Sequence, residues 1–158
     1  MVRVLHHQSK PLEGLMKTTR GFSLLELLIV VAIILIIATI AIPSLLRSRQ
    51  SANEASAVSN LRLVNSAEVT YASGKQGSYG TVSDLVGSNL LDSRFTQIVS
   101  GYSLSVSVSM DTLDYTANAT ARAGNDGRYD YYTRPDYIIR FSDVATRAPT
   151  GLTGEPVR

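Results

Sequence analysis

The chain has 158 residues, of which 44% are apolar and 18% charged, enough for one modest domain and too apolar for wholesale disorder. Its formal charge of +2 does not describe a basic surface: Arg3, Lys10, Lys17 and Arg20 precede residue 22, and from Phe22 onward eleven basic residues face twelve acidic ones. No basic face with interleaved aromatics remains for nucleic acid, and the absence of cysteine excludes a disulfide, a thiolate metal site and a cysteine nucleophile.

The first informative element is apolar. Leu27 to Ile42 reads LLIVVAIILIIATIAI, with Thr39 its one polar residue, and with Phe22 to Glu26 in front it reaches the roughly 20 residues that cross a bilayer core. A secretory signal peptide places its cleavage site after the apolar run, at small residues in an A-x-A arrangement, and nothing after Ile42 has that form, so the run is expected to stay in the mature protein. Lys17 and Arg20 directly precede it, which puts the N-terminus in the cytoplasm and everything after Ile42 on the far side.

Glu26 stands out, because a carboxylate near the start of a span costs several kcal/mol unless it finds a partner. One account places it in the first helical turn, against free N–H groups and the helix dipole, or in the headgroup layer. The other requires a free α-amine made by cutting before Phe22, so that Glu26 of one subunit neutralises the ammonium of a neighbour and fixes the register of packed helices.

The stretch Lys17-Thr18-Thr19-Arg20-Gly21-Phe22-Ser23-Leu24-Leu25-Glu26, followed by a long apolar helix and Pro43, resembles the class III signal of type IV prepilins and type II secretion pseudopilins. The resemblance is strong over residues 17 to 72 and architectural beyond. It implies that a prepilin peptidase removes a leader of residues 1–21 by cutting between Gly21 and Phe22, and that Phe22 is N-methylated. It also implies that Glu26 sets the assembly register. Translation from Met1 gives a long leader, and Met16 offers a start that leaves the more usual short one.

Pro43 removes a backbone donor and is expected to kink the helix, since the helical pattern resumes in residues 43–72: Ala57, Leu61, Val64, Ala67 and Tyr71 recur at steps of three and four, with Arg62, Asn65 and Glu68 read as facing elsewhere. Ser73-Gly74 and Gln76-Gly77 stop it. The helix is thus expected over residues 22–72, its part in 22–42 serving as membrane and filament-core segment. Residues 73–100 read as a connecting loop with short helical pieces, one capped at Ser83-Asp84 and another within Asp92 to Val99.

From 101 to 158 the period changes to two. Leu104, Val106, Val108 and Met110 alternate with serines, then Tyr115, Ala117, Ala119 and Ala121 with Thr116, Asn118 and Thr120. Shorter strands follow at Tyr129–Thr133 and Tyr137–Phe141, and coil from Ala145. The expected fold is α+β: one long helix packed on an antiparallel sheet of about four strands, as in pilins.

Asp126, Asp130 and Asp136 are oxygen ligands in the region where pseudopilins hold calcium, but their spacing follows no 12-residue loop, and no metal or other cofactor is assigned. The two histidines, His6 and His7, lie in the leader, and no Gly-rich phosphate loop or Ser-His-Asp set is present, so the chain is not expected to be an enzyme. The sequon Asn118-Ala119-Thr120 lies in a strand and is set aside, and Tyr129, Tyr131, Tyr132 and Tyr137 are read as filling a sheet face.

The resemblance therefore implies a structural subunit of a type IV pilus-like filament. Its partners would be copies of itself, the prepilin peptidase, the inner-membrane assembly platform with its ATPase, and membrane lipid before assembly, with no specific nucleic acid. It would sit in the inner membrane by a single pass and then in a surface pilus. A periplasmic pseudopilus of type II secretion is the alternative, followed by a membrane-anchored periplasmic binding domain. Whether adhesion or motility is the end use is not written in these residues.

Overall fold

A computed structural model describes residues 21–142 and 154–157. The chain divides by its contacts into two compact units, residues 1–39 and 40–158. The expected leader, with Met16, Lys17 and Arg20, lies outside the described residues but for Gly21, as does most of the tail.

In the first unit, helix α1 begins at Leu24, and Leu27 N–H donates to the Ser23 carbonyl at 3.1 Å. Among the described residues its side chains are little covered: Phe22, Leu24, Leu25, Leu28 and their successors are largely exposed.

In the second unit α1 continues through Pro43 and ends at Gly74. A capped helix α2 (Val82–Gly87) and a 3₁₀ turn (Ser93–Thr96) follow. Six strands then form one antiparallel sheet in sequence order: β1 (Ile98–Val99), β2 (Tyr102–Val108), β3 (Tyr115–Ala121), β4 (Asp130–Thr133), β5 (Arg140–Ser142) and β6 (Glu155–Pro156). β2 and β3 keep the predicted alternation, with Leu104 opposite Ala119 and Val106 opposite Ala117. Ala117, Ala119 and Ala121 are buried in the same core as Ala57, Leu61, Val64 and Ala67 of α1. Small side chains on both elements let helix and sheet approach closely.

The sheet is α+β as expected, but it has six strands instead of about four. The two additional ones are pairs of residues at the edges, too short to carry a periodic signal. β1 forms because a turn through Ser100 and Gly101, both at positive φ, folds Ile98–Val99 back onto Tyr102 and Ser103. β6 lies where coil was expected: Glu155 pairs with Phe141, Pro156 with Arg140, and Val157 N–H reaches the Ile139 carbonyl at 2.8 Å. Proline is tolerated on this edge because no further strand needs its donor.

Three local expectations are also corrected. The cap of α2 is Thr81, not Ser83: Asp84 N–H reaches the Thr81 hydroxyl while Thr81 N–H donates to the Asp84 carboxylate at 2.8 Å, a reciprocal capping box. β5 starts at Arg140 rather than at Tyr137, because Tyr137 adopts a φ of 60° and its N–H closes a turn onto the Arg134 carbonyl. Finally, Asn65 and Glu68 face the core, at 7% and 0% exposure. Steps of 3.6 residues from Ala57 and Leu61 put positions 64, 65 and 68 on one face, and the polarity of two of them masked this.

Candidate processing and assembly site

Gly21, Phe22 and Ser23 precede the helix, so the Gly21–Phe22 bond lies in non-helical, exposed chain. A Cβ built on Gly21 would meet no atom within 4 Å, and the Phe22 side chain is 74% exposed. Glu26 sits in the first turn of α1, where the free N–H groups and the positive end of the helix dipole favour a carboxylate. It too is exposed, and among the described residues it has no ion pair.

From Leu27 to Ile42 the helix is apolar on every side, and the described residues contain this one helix long and apolar enough to cross a membrane. Thr39 does not interrupt it, because its hydroxyl donates to the Ile36 carbonyl at 2.7 Å. A helix apolar all round is stable only where lipid or other protein covers it. Pro43 lies inside α1, so it does not end the helix.

Sequence reading missed how the sheet module is mounted on α1. Gln50 Nε2 donates to the Gly124 carbonyl at 2.7 Å and Asn53 Nδ2 to that of Asp126 at 2.9 Å. Glu54, 6% exposed, accepts Arg128 backbone N–H at 2.8 Å and its guanidinium at 3.1 and 2.8 Å. Further along, Asn65 accepts from the Tyr115 hydroxyl at 2.9 Å and donates to the Thr133 hydroxyl at 3.0 Å. Glu68 accepts Gly80 N–H at 3.1 Å. Burial pushes the Tyr115 phenol up, which keeps it a neutral donor. These polar ties hold a region that has no cysteine to staple it. The only sequence signal for them was helical phase.

Asp126, Asp130 and Asp136 are not brought together as a ligand set. Asp126 pairs with Arg122, Asp130 accepts Ala121 N–H and Asp136 pairs with Arg140, and no metal-holding cluster is found among the described residues. Tyr131 and Tyr132 are buried as sheet-face residues, whereas Tyr137 is 47% exposed on its turn.

Residues 16–42 match the family described as the prokaryotic N-terminal methylation motif. The chain is also 54% identical over 39 residues to the type IV wide pilus major component PilA4 of Thermus thermophilus. Both matches fall on the amino-terminal segment, which is similar to a type IV pilin over that stretch. The aligned stretch is 25% of this chain and 30% of the Thermus protein, so the likeness concerns a segment, not the whole. No solved structure is significantly similar to the chain. The pilin-type segment is joined here to an α+β module in which part of α1 packs on an antiparallel sheet, the architecture expected of a pilin.

Proposed function

We propose that this chain is a non-enzymatic, structural subunit of a type IV pilus-like filament. The observation that carries the reading is the helix from Leu24 onward, apolar and exposed on all sides, with Glu26 its one charge ahead of Arg47. In this reading a prepilin peptidase cuts between Gly21 and Phe22 on the cytoplasmic face, Phe22 is N-methylated, and residues 22–42 hold the subunit in the inner membrane by a single pass. An assembly platform and its ATPase then draw the helix into a growing filament.

The transfer exchanges lipid contacts for contacts with other copies, so it gains little from the hydrophobic effect and depends on packing and on charge pairing. Glu26 supplies the pairing by meeting the Phe22 ammonium of a neighbouring copy. An unpaired charge in an apolar bundle costs several kcal/mol, so only the register that joins the two groups is favourable. Pro43 weakens the helix locally and allows it to bend as it is packed.

A pseudopilus of type II secretion uses the same kind of amino-terminal signal. The similarity to a wide-pilus component favours the surface pilus.

Glu26→Ala is the direct test. Membrane insertion is expected to persist while sheared cell-surface fibres are lost or misregistered, and normal filaments from the variant would refute the pairing. Intact mass and N-terminal sequencing of sheared material should find a chain starting at N-methylated Phe22. An uncut chain confined to membranes would favour an anchored periplasmic domain that never polymerises.

A further inference from the structure

Residues 40–158 contain a basic end that the filament reading leaves without a role. Here α1 opens with exposed Ile40, Ile42, Leu45 and Leu46, and Arg47 and Arg49 follow directly. Both arginines are exposed, and among the described residues neither has an ion pair. At 100° per residue they project from roughly opposite sides of the helix.

The sheet module takes hold at the very next residue. Gln50, Asn53 and Glu54 bind the Gly124 and Asp126 carbonyls and Arg128 N–H, which pins the turn over residues 122–128 beside the helical turn that follows the two arginines. That turn adds Arg122 and Arg128. Their side chains are 65% and 53% exposed, while their partners Asp126 and Glu54 are 13% and 8% exposed. The cations therefore line the surface and the carboxylates lie behind them.

We propose that this end of the module is a seat for anionic phospholipid headgroups of the leaflet on the far side of the membrane, with Arg47 and Arg49 as its two principal contacts. The inference rests on the reading of the apolar helix as a membrane span. The near-continuous run of exposed isoleucine and leucine along α1 ends at Leu46, so hydrocarbon ends there and the next groups meet the phosphate layer. Arginine suits that layer: its stem lies along apolar surface, while its planar head donates two hydrogen bonds to one phosphate. Two free guanidinium groups on opposite sides of one helix resist both deeper sinking and withdrawal. The pinned turn fixes which face of the module meets the lipid. The seat holds depth and orientation until the subunit leaves for the filament.

The chain has no cysteine, so single reporters are clean. Asn125→Cys, exposed on the pinned turn, and Ile34→Cys, exposed in the apolar run, each carry a nitroxide in full-length chain reconstituted in phosphatidylcholine vesicles with or without phosphatidylglycerol. The label at 34 is expected in the acyl region in both lipids. The label at 125 is expected to contact headgroups only when phosphatidylglycerol is present, and to lose that contact at high salt. With each arginine shifting such an equilibrium roughly fivefold, R47Q with R49Q should lower the seated fraction's ratio by roughly 25-fold. A label at 34 in the acyl region, with 125 insensitive to lipid charge or to the double substitution, overturns the seat and leaves the span intact. A label at 34 outside the acyl region overturns the span, and the seat with it.

Discussion

Glu68 offers the sharpest test of how the module holds to its helix. The side chain is fully buried, Oε2 accepts Gly80 N–H at 3.1 Å, and Oε1 has no hydrogen-bond partner among the described residues. Burial, with a smaller contribution from the Asp84 charge, pushes its pKa up from 4.5 to about 7 against the opposing pull of the Gly80 bond. At low pH the folded and unfolded chains both carry the proton, and stability is at its full value. As pH rises through the unfolded pKa, the unfolded chain releases its proton while the folded chain keeps it, so stability falls until the folded group ionises too. At about 1.4 kcal/mol per unit the loss totals roughly 3 kcal/mol, complete slightly above neutrality.

Glu68→Gln preserves an acceptor for Gly80 and cannot ionise, though its amide leaves two buried N–H donors unmet where protonated glutamic acid leaves one O–H. The stability of the glutamine protein relative to the parent should therefore rise by roughly 3 kcal/mol between about pH 4 and pH 8. In a module of this size that is on the order of 10–20 °C in Tm. Thermal melts of the detergent-solubilised chain, followed by near-ultraviolet dichroism of the buried tyrosines Tyr102 and Tyr115, read the difference across that range. Asp84, Asp111 and Asp136 are held below the usual carboxylate range by hydrogen bonds from Thr81, Ser109 and Arg140, so they titrate below the window. Parallel pH profiles for the two proteins would refute the argument.

Asn65→Leu removes the amide that joins Tyr115 to Thr133, stranding the buried Tyr115 hydroxyl and leaving Thr133 only its long bond to the Arg134 carbonyl at 3.5 Å, at an expected cost of about 1–3 kcal/mol in urea unfolding. A loss below about 0.5 kcal/mol would show that α1 and the sheet do not depend on this bridge. Gly127→Ala sets a Cβ against the Tyr102 hydroxyl, which is buried and donates to the Tyr129 carbonyl at 2.7 Å. The ring cannot retreat without breaking that bond, so a loss of about 3 kcal/mol is expected. An unchanged Tm would mean that the turn shifts freely.

Much of the architecture was legible along the chain. Tyr115 to Ala121 alternates so regularly that the predicted and observed strands coincide, and the two predicted hairpin strands β2 and β3 pair in register. The apolar run and Glu26 were plain for the same reason: a local pattern sustained over many residues carries its own period. The edge strands were not, because Ile98–Val99 and Glu155–Pro156 are strands only through the neighbours they pair with.

The sequence by itself determined the apolar helix, the position of Glu26 and the alternation of the central strands, because each follows from residue identity and spacing alone. Tertiary structure decided which polar residues turn inward. Asn65 and Glu68 read as facing away from the core until Tyr115 and Thr133, distant in sequence, and Gly80 are brought to meet them, and Glu54 is held inward by Arg128 in the same way. A buried polar group is tolerated only where a partner waits, and that partner is specified by the fold, not by the helix that carries the group.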